Sequence, residues 1–206
     1  MLRLVIGNKN FSSWSLRPWL ALKQAGMPFE EIRLDIYRPD ARAEILKYSP
    51  SGKVPCLFDG DLRIWDSLAI CEYLAESKAD LWPLDRAVRA AARSVSAEMH
   101  SGFAALRSEM SMEICARKPD QGRTAESAAD IARIVDIWEG CRSRHAAGGP
   151  FLFGAFSIAD AVFAPVVWRF ETYVVALPPV ARQYADAMLA LPAMAEWAAG
   201  ARAEIG

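Results

Sequence analysis

An excess of either charge is missing from this chain, and so is any long unbroken apolar run. Lysine and arginine number 24 against 25 aspartates and glutamates, a formal net charge of −1. That balance leaves no basic stripe of the kind that holds nucleic-acid phosphates. No apolar stretch approaches the roughly 18 residues that cross a bilayer as a helix, so no membrane partner is expected. The chain opens directly on a strand pattern, Leu2-Arg3-Leu4-Val5-Ile6, without the basic region and apolar core of a signal peptide. Histidine is scarce: His100 and His145 stand alone, and no cluster has metal-ligand spacing, so no metal is expected. The four cysteines, Cys56, Cys71, Cys115 and Cys141, form no Cys-x-x-Cys pair and read as reduced, small apolar residues of a cytoplasmic protein.

The 206 residues are 53% hydrophobic and 24% charged, which suffices for a buried core. Residues 2–6 read as a buried strand. Ser12 or Ser13 opens a helix running to about Ala25, stopped by Gly26 and Pro28. Residues 29–34 carry a strand pattern and 40–48 a short helix. Residues 54–58 and 62–65 read as strands joined by Asp59-Gly60, a hairpin signal, and a helix follows over 67–75. The order β-α-β-α-β-β-α predicts a mixed α/β sheet in residues 1–77. Residues 78–84 read as a linker. Beyond it no strand pattern is found, and alanine-rich amphipathic segments cover about 86–116, 124–146, 158–175 and 180–203. Residues 85–206 are therefore expected to form an all-helical domain.

Ser51-Gly52-Lys53-Val54-Pro55-Cys56-Leu57-Phe58 is the most informative stretch. Proline cannot donate to a sheet ladder, so within a strand it marks an edge, a first position or a bulge. A cis Val54–Pro55 bond, which costs only about 0.5–1 kcal/mol over trans, would turn the Val54 N–H and C=O toward a ligand. An extended peptide could pair with them. Asp66-Ser67 heads the next helix, where free N–H groups and the dipole attract a carboxylate. Together these features suit a small acidic peptide.

Three motifs in this order resemble the cytosolic glutathione S-transferases over essentially the whole chain. They are Asn10-Phe11-Ser12-Ser13-Trp14-Ser15-Leu16-Arg17-Pro18-Trp19, Gly52-Lys53-Val54-Pro55 with Asp66-Ser67, and Phe156-Ser157-Ile158-Ala159-Asp160-Ala161. The resemblance implies an α/β plus all-α fold, with an N-terminal thioredoxin-like domain and a C-terminal helical bundle. With neither tyrosine nor cysteine in the first loop, the serine cluster looks more like the zeta, theta and beta-like bacterial groups than the tyrosine or omega classes.

The resemblance implies glutathione as co-substrate, paired through its cysteinyl backbone with Val54 beside Pro55. Its γ-glutamyl group would be held by Asp66 and Ser67, and Lys53 would either meet the glycyl carboxylate or stand simply as a solvated lysine. Asp66 replaces the family's usual glutamate and is one carbon shorter. Ser12 or Ser13 would donate a hydrogen bond to the glutathione sulfur, with Ser15 a weaker candidate. The alternative is that these serines and Asp66 only cap helices. Arg17 would place positive charge near the thiolate or serve a structural contact beneath the site. Phe11, Trp14, Met110, Ile114 and Trp168 are expected around a second-substrate pocket, with Phe103, Phe163 and Val167 nearby. Trp19 is expected in the core, Trp65 reads as a buried strand-end residue, and Ser157 with Asp160 forms a structural capping box. The activity implied is conjugation of glutathione to small apolar electrophiles. A maleylacetoacetate-isomerase-like reaction, a peroxidase activity and a non-catalytic glutathione-binding module stand as alternatives. The family resemblance also implies a homodimer.

Overall fold

The computed structural model describes residues 1–205. A four-stranded sheet is built from β1 (Leu2–Ile6), β2 (Phe29–Arg33), β3 (Cys56–Asp59) and β4 (Leu62–Trp65), in the order β2-β1-β3-β4. β1 and β2 run parallel, as the intervening helix α1 (Ser13–Gln24) requires, and β3 pairs antiparallel with both β1 and β4. Gly60, at φ +58, makes the β3–β4 turn. Helices α2 (Ala41–Leu46) and α3 (Ser67–Ser77) complete this half of the chain. β3 begins at Cys56 rather than at Val54, because Pro55 has no N–H to offer a ladder.

The helical half contains α4 (Arg86–Ser101), α5 (Ala104–Glu109), α6 (Ala125–His145), α7 (Ile158–Thr172), α8 (Pro179–Leu189) and α9 (Pro192–Ala203). Two expected helices are each broken in two. The 86–116 segment is interrupted at Gly102 and Phe103, the latter at φ +60, and its helix ends at Glu109. The 180–203 segment breaks before Pro192, whose ring cannot continue the preceding helix. The segment expected as a linker is docked: its 3₁₀ turn, Ala79–Leu81, leads into a Trp82 whose indole N–H donates to Glu72, and Leu81 and Trp82 are both buried.

One continuous apolar core joins the two halves. Leu16, Trp19 and Leu20 of α1 lie in the same cluster as Phe163, Val167 and Phe170 of α7. α1 packs on α3 at one side and on α7 at the other, and α4 also packs on α7. α7 is buried along almost its whole length, so its first turn must be satisfied from inside the protein. Asp160 does this. One carboxylate oxygen accepts the Leu152 N–H (3.0 Å); the other accepts the Ser157 N–H (2.8 Å) and the Ser157 hydroxyl (3.0 Å).

Asp160→Ala strands three buried donors at about 1–3 kcal/mol each. A loss of about 3 kcal/mol or more in urea unfolding is expected, and a loss below about 1 kcal/mol would refute the role. Burial pushes the Asp160 carboxyl up to about 6 from the usual 3.8, against those three donors. The folded state thus holds this proton more tightly than the unfolded chain. The cost of burying the charge is full above about 6 and is relieved as the pH falls toward 3.8. The stability of wild type relative to that of the non-titrating Asp160→Asn variant should therefore rise as the pH falls from about 7 to about 5; paired melts with a pH-independent gap would contradict this.

Candidate functional site

The loop after β1 delivers the serines. The Ser12 N–H donates to the Asn8 carbonyl at 2.8 Å, turning the chain into α1. Ser12 occupies the cap position, yet its hydroxyl caps nothing; it donates to the Ser15 Oγ at 2.7 Å, which also accepts the Gly7 N–H at 3.1 Å. The Ser13 Oγ accepts from the Arg169 guanidinium at 3.3 Å. Arg169 lies on α7 and also donates to the Met110 carbonyl. Ser12 and Ser13 are buried but reach a cavity. Among the described residues, the Trp14 and Ser15 N–H groups find no acceptor, so the head of α1 presents free donors beside the serines.

Two adjoining cavities share Trp14, Lys53 and Val54. One, of about 480 Å³, is bounded by Trp14, Ser51, Lys53, Val54, Pro55, Trp65, Asp66 and Ser67. The other, of about 280 Å³, is bounded by Phe11, Ser12, Ser13, Ile36, Ile45 and Gly52 besides the shared three. The Val54–Pro55 peptide is cis. Neither the N–H nor the C=O of Val54 has a hydrogen-bond partner among the described residues. Lys53 is exposed and forms no ion pair among the described residues.

Asp66 precedes α3 at φ +73, a conformation rare for a residue with a side chain. Its Oδ1 accepts the N–H groups of Leu68 (2.9 Å) and Ala69 (3.2 Å), a true N-cap. Its Oδ2 lies 3.2 Å from His100 Nε2. Ser67 is buried against the cavity, and its hydroxyl has no partner among the described residues.

His100 is not isolated, contrary to the sequence reading. It lies in the last turn of α4, reaches across to Asp66, and packs edge-on against Trp14 with ring centroids 5.2 Å apart. Its Nδ1 lies 3.4 Å from Arg17 Nη1. Burial lowers the His100 pKa, as do Arg17 and Arg107, while Asp66 opposes them. The neutral ring, assigned with its proton on Nε2, donates to Asp66 and accepts from Arg17. No spacing within the sequence joins His100 to Asp66; only the tertiary arrangement does, in which α4 packs on α7 and its Arg93 also reaches Glu72 of α3 at 2.8 Å.

Arg17 is buried beneath the site, its guanidinium 4.4 Å from the Trp14 ring and its Nε without a partner. Burial, reinforced by Arg107, pushes its pKa down to about 9, so it remains charged at neutral pH. Arg107 covers the Trp14 ring at 4.7 Å and donates to the carbonyls of Met99, His100 and Gly102, closing the end of α4.

Phe11, Ser12, Ser13, Trp14, Lys53, Val54, Pro55, Asp66 and Ser67 thus converge on the two cavities, while Ser15 and Arg17 support them from below. Met110, Ile114 and Trp168 border neither cavity. Met110 is fully buried in the core, as are Phe163 and Val167, and Phe103 is nearly so. The expected buried Trp65 is instead 48% exposed and walls the larger cavity, because the end of β4 is a sheet edge. Trp19 is buried in the core.

Residues 11–77 match the family "Glutathione S-transferase, N-terminal domain", and residues 121–200 match "Glutathione S-transferase, C-terminal domain". The glutathione S-transferase hmp2 of Hypomyces subiculosus is 34% identical over 131 residues, 57% of this chain and 61% of the relative. A probable maleylacetoacetate isomerase of Caenorhabditis elegans is 34% identical over 108 residues, 52% of this chain and 50% of the relative. These matches therefore span between half and two thirds of each relative's length. A glutathione transferase homolog of Burkholderia gl BGR1, solved with bound glutathione, shares the fold with a TM-score of 0.73 at 22% identity, over 98% of both chains.

Asp66→Ala removes the cap of α3, whereas Asp66→Asn can keep an oxygen on the same two N–H groups. The alanine variant should be less stable than the asparagine variant by about 1 kcal/mol. Equal urea midpoints for the two would show that the cap contributes nothing.

Proposed function

The chain belongs to the glutathione S-transferase family, and on that premise we propose that it binds glutathione across the two cavities and activates the thiol for attack on an electrophilic carbon. The observation that carries this reading is the Val54 backbone pair without internal partners, set between the head of α3 and the serines at the head of α1. A cysteinyl residue laid along Val54 would exchange two backbone hydrogen bonds with it. Asp66 would take the γ-glutamyl ammonium, and Ser67, with its uncommitted hydroxyl, the neighbouring carboxylate. The exposed Lys53 would meet the glycyl carboxylate.

The thiolate is the nucleophile, and a free thiol has a pKa of about 8.5. A hydroxyl and helix N–H groups that donate to sulfur favour the thiolate; each unit of lowering corresponds to about 1.4 kcal/mol. The hydrogen bonds favour Ser13 over Ser12 as that donor. Arg169 donates to the Ser13 oxygen, which leaves the Ser13 proton free, whereas the Ser12 proton is engaged by Ser15. The buried Arg17 adds positive charge below the thiolate. Phe11, Trp14, Ile36 and Ile45 give the smaller cavity an apolar lining suited to an apolar electrophile.

Isomerisation is a second reading, favoured by the similarity to the nematode protein. It uses the same thiolate: addition to an activated double bond, rotation, then elimination that restores glutathione. The serine-type assignment and a cytoplasmic location belong to this proposal; the four cysteines, all free, suit a reducing compartment. So does the homodimer, and a monomeric mass in light scattering would remove it.

Calorimetry with glutathione should show binding that Asp66→Asn weakens about tenfold, the loss of a charged partner. Ser13→Ala should retain glutathione affinity and lose most conjugation of chloro-dinitrobenzene, with Ser12→Ala less affected. No binding by the wild type at millimolar glutathione would overturn the function, and equal activity of the two serine variants would overturn the choice between them.

A further inference from the structure

We propose that His100, brought in from the helical half, is a positioning residue that fixes the peptide-binding carboxylate of Asp66 and makes glutathione affinity fall on acidification. The inference rests on the glutathione-binding reading above and adds a residue and a regulation to it.

The two oxygens of Asp66 have separate tasks. Oδ1 is committed to the N–H groups of Leu68 and Ala69, which caps α3. Oδ2 takes no part in the cap and is met by His100 Nε2 at 3.2 Å, and Asp66 lines the larger cavity. Asp has one methylene fewer than Glu, so its carboxylate cannot both cap the helix and swing freely. The imidazole sets the plane in which Oδ2 faces a ligand ammonium. His100 is itself held tightly. Trp14 packs against its ring, Arg17 meets Nδ1, and Arg107 grips its carbonyl. Rotation of the ring would leave the Arg17 guanidinium, already short of a partner at Nε, with one acceptor fewer.

Protonation changes the sign of this arrangement. The charged groups facing His100 are Asp66 from α3, Arg17 from α1 and Arg107 from α5, with Lys53 across the cavity. A neutral imidazole donates to Asp66 and leaves the carboxylate charge available to an ammonium. An imidazolium at the same place neutralises that charge and sets a second cation against Arg17. Glutathione must then bind a carboxylate that is already paired. The coupling is reciprocal: if the His100 proton weakens glutathione, glutathione must lower the affinity of His100 for its proton by the same factor.

The test uses the full chain in three arms. Wild type should bind glutathione increasingly weakly as the pH falls below about 6.5, the ordinary imidazole value, with the loss displaced to lower pH because burial holds the His100 pKa down. His100→Gln keeps a donor for Asp66 but cannot titrate, so its affinity should stay near the neutral wild-type value over the same range. His100→Ala should raise the KM for glutathione about tenfold at neutral pH, with kcat little changed. NMR needs no variant: with only two histidines in the chain, saturating glutathione should shift the His100 titration to lower pH. An unshifted His100 titration, or a His100→Gln protein with the wild-type pH dependence, overturns the proposal while wild-type binding stands. Absence of glutathione binding by the wild type overturns the parent reading instead.

Discussion

Helix α1 is gripped from two directions, and that grip decides where every other part of the site can lie. One side packs against α3 of its own sheet layer, the other against α7 of the helical half. From Ser13 to Leu22 only Trp14 escapes burial. The loop before it is fastened with equal care. The Asn10 side chain accepts the Cys115 N–H at 2.9 Å, its carbonyl accepts the Ile114 N–H at 3.2 Å, and the Lys9 carbonyl accepts the Trp197 indole N–H at 2.9 Å. The serines therefore sit at the end of a rod whose position is over-determined. Such rigidity is what a hydrogen bond aimed at a sulfur atom requires.

Within this frame, buried positive charge is concentrated under one end of the cavities. Arg17 and Arg169 carry their charges inside the protein, where burial lowers both pKa values, Arg17 to about 9 and Arg169 to about 10. Among the described residues neither is offset by a buried carboxylate; Arg17 meets the Trp14 ring and His100 but leaves its Nε without a partner, and Arg169 meets the Met110 carbonyl and the Ser13 hydroxyl. An arrangement of this kind is costly for folding, and a cost retained beside a cavity fits an anion that forms there. The thiolate of the proposed reaction is such an anion.

The sheet half was legible because its signals are local. Short apolar runs are set off by Gly26, Pro28 and Asp59-Gly60, and the observed strands and helices fall within a residue or two of those expected. The start of β3 was the exception: the strand was expected from Val54, and Pro55 holds it back to Cys56. The helical half was legible in kind but not in its breaks. Phe103 adopts a left-handed conformation that nothing about phenylalanine announces, and so α4 and α5 read as one helix. The same limit applied to the pocket. Helical spacing gives Met110 an apolar face but cannot say whether that face meets a cavity or the core; it meets the core. His100 was invisible for a different reason. Its partners, Asp66 at the cap of α3 and Arg17 on α1, belong to other elements, and only tertiary packing makes them neighbours.

The contact between Arg169 and Ser13 has a consequence for how such a chain could diversify. The hydroxyl nearest the proposed chemistry comes from the sheet half, but its electronic surroundings come from the helical half. Recombining either half with that of a distant relative would preserve the peptide cradle around Val54 while altering the acidity of the hydroxyl. The two halves are thus not interchangeable cassettes. On the proposed reading, reactivity would be a property of their seam, and a chimera would inherit its co-substrate from one parent and its tempo from neither.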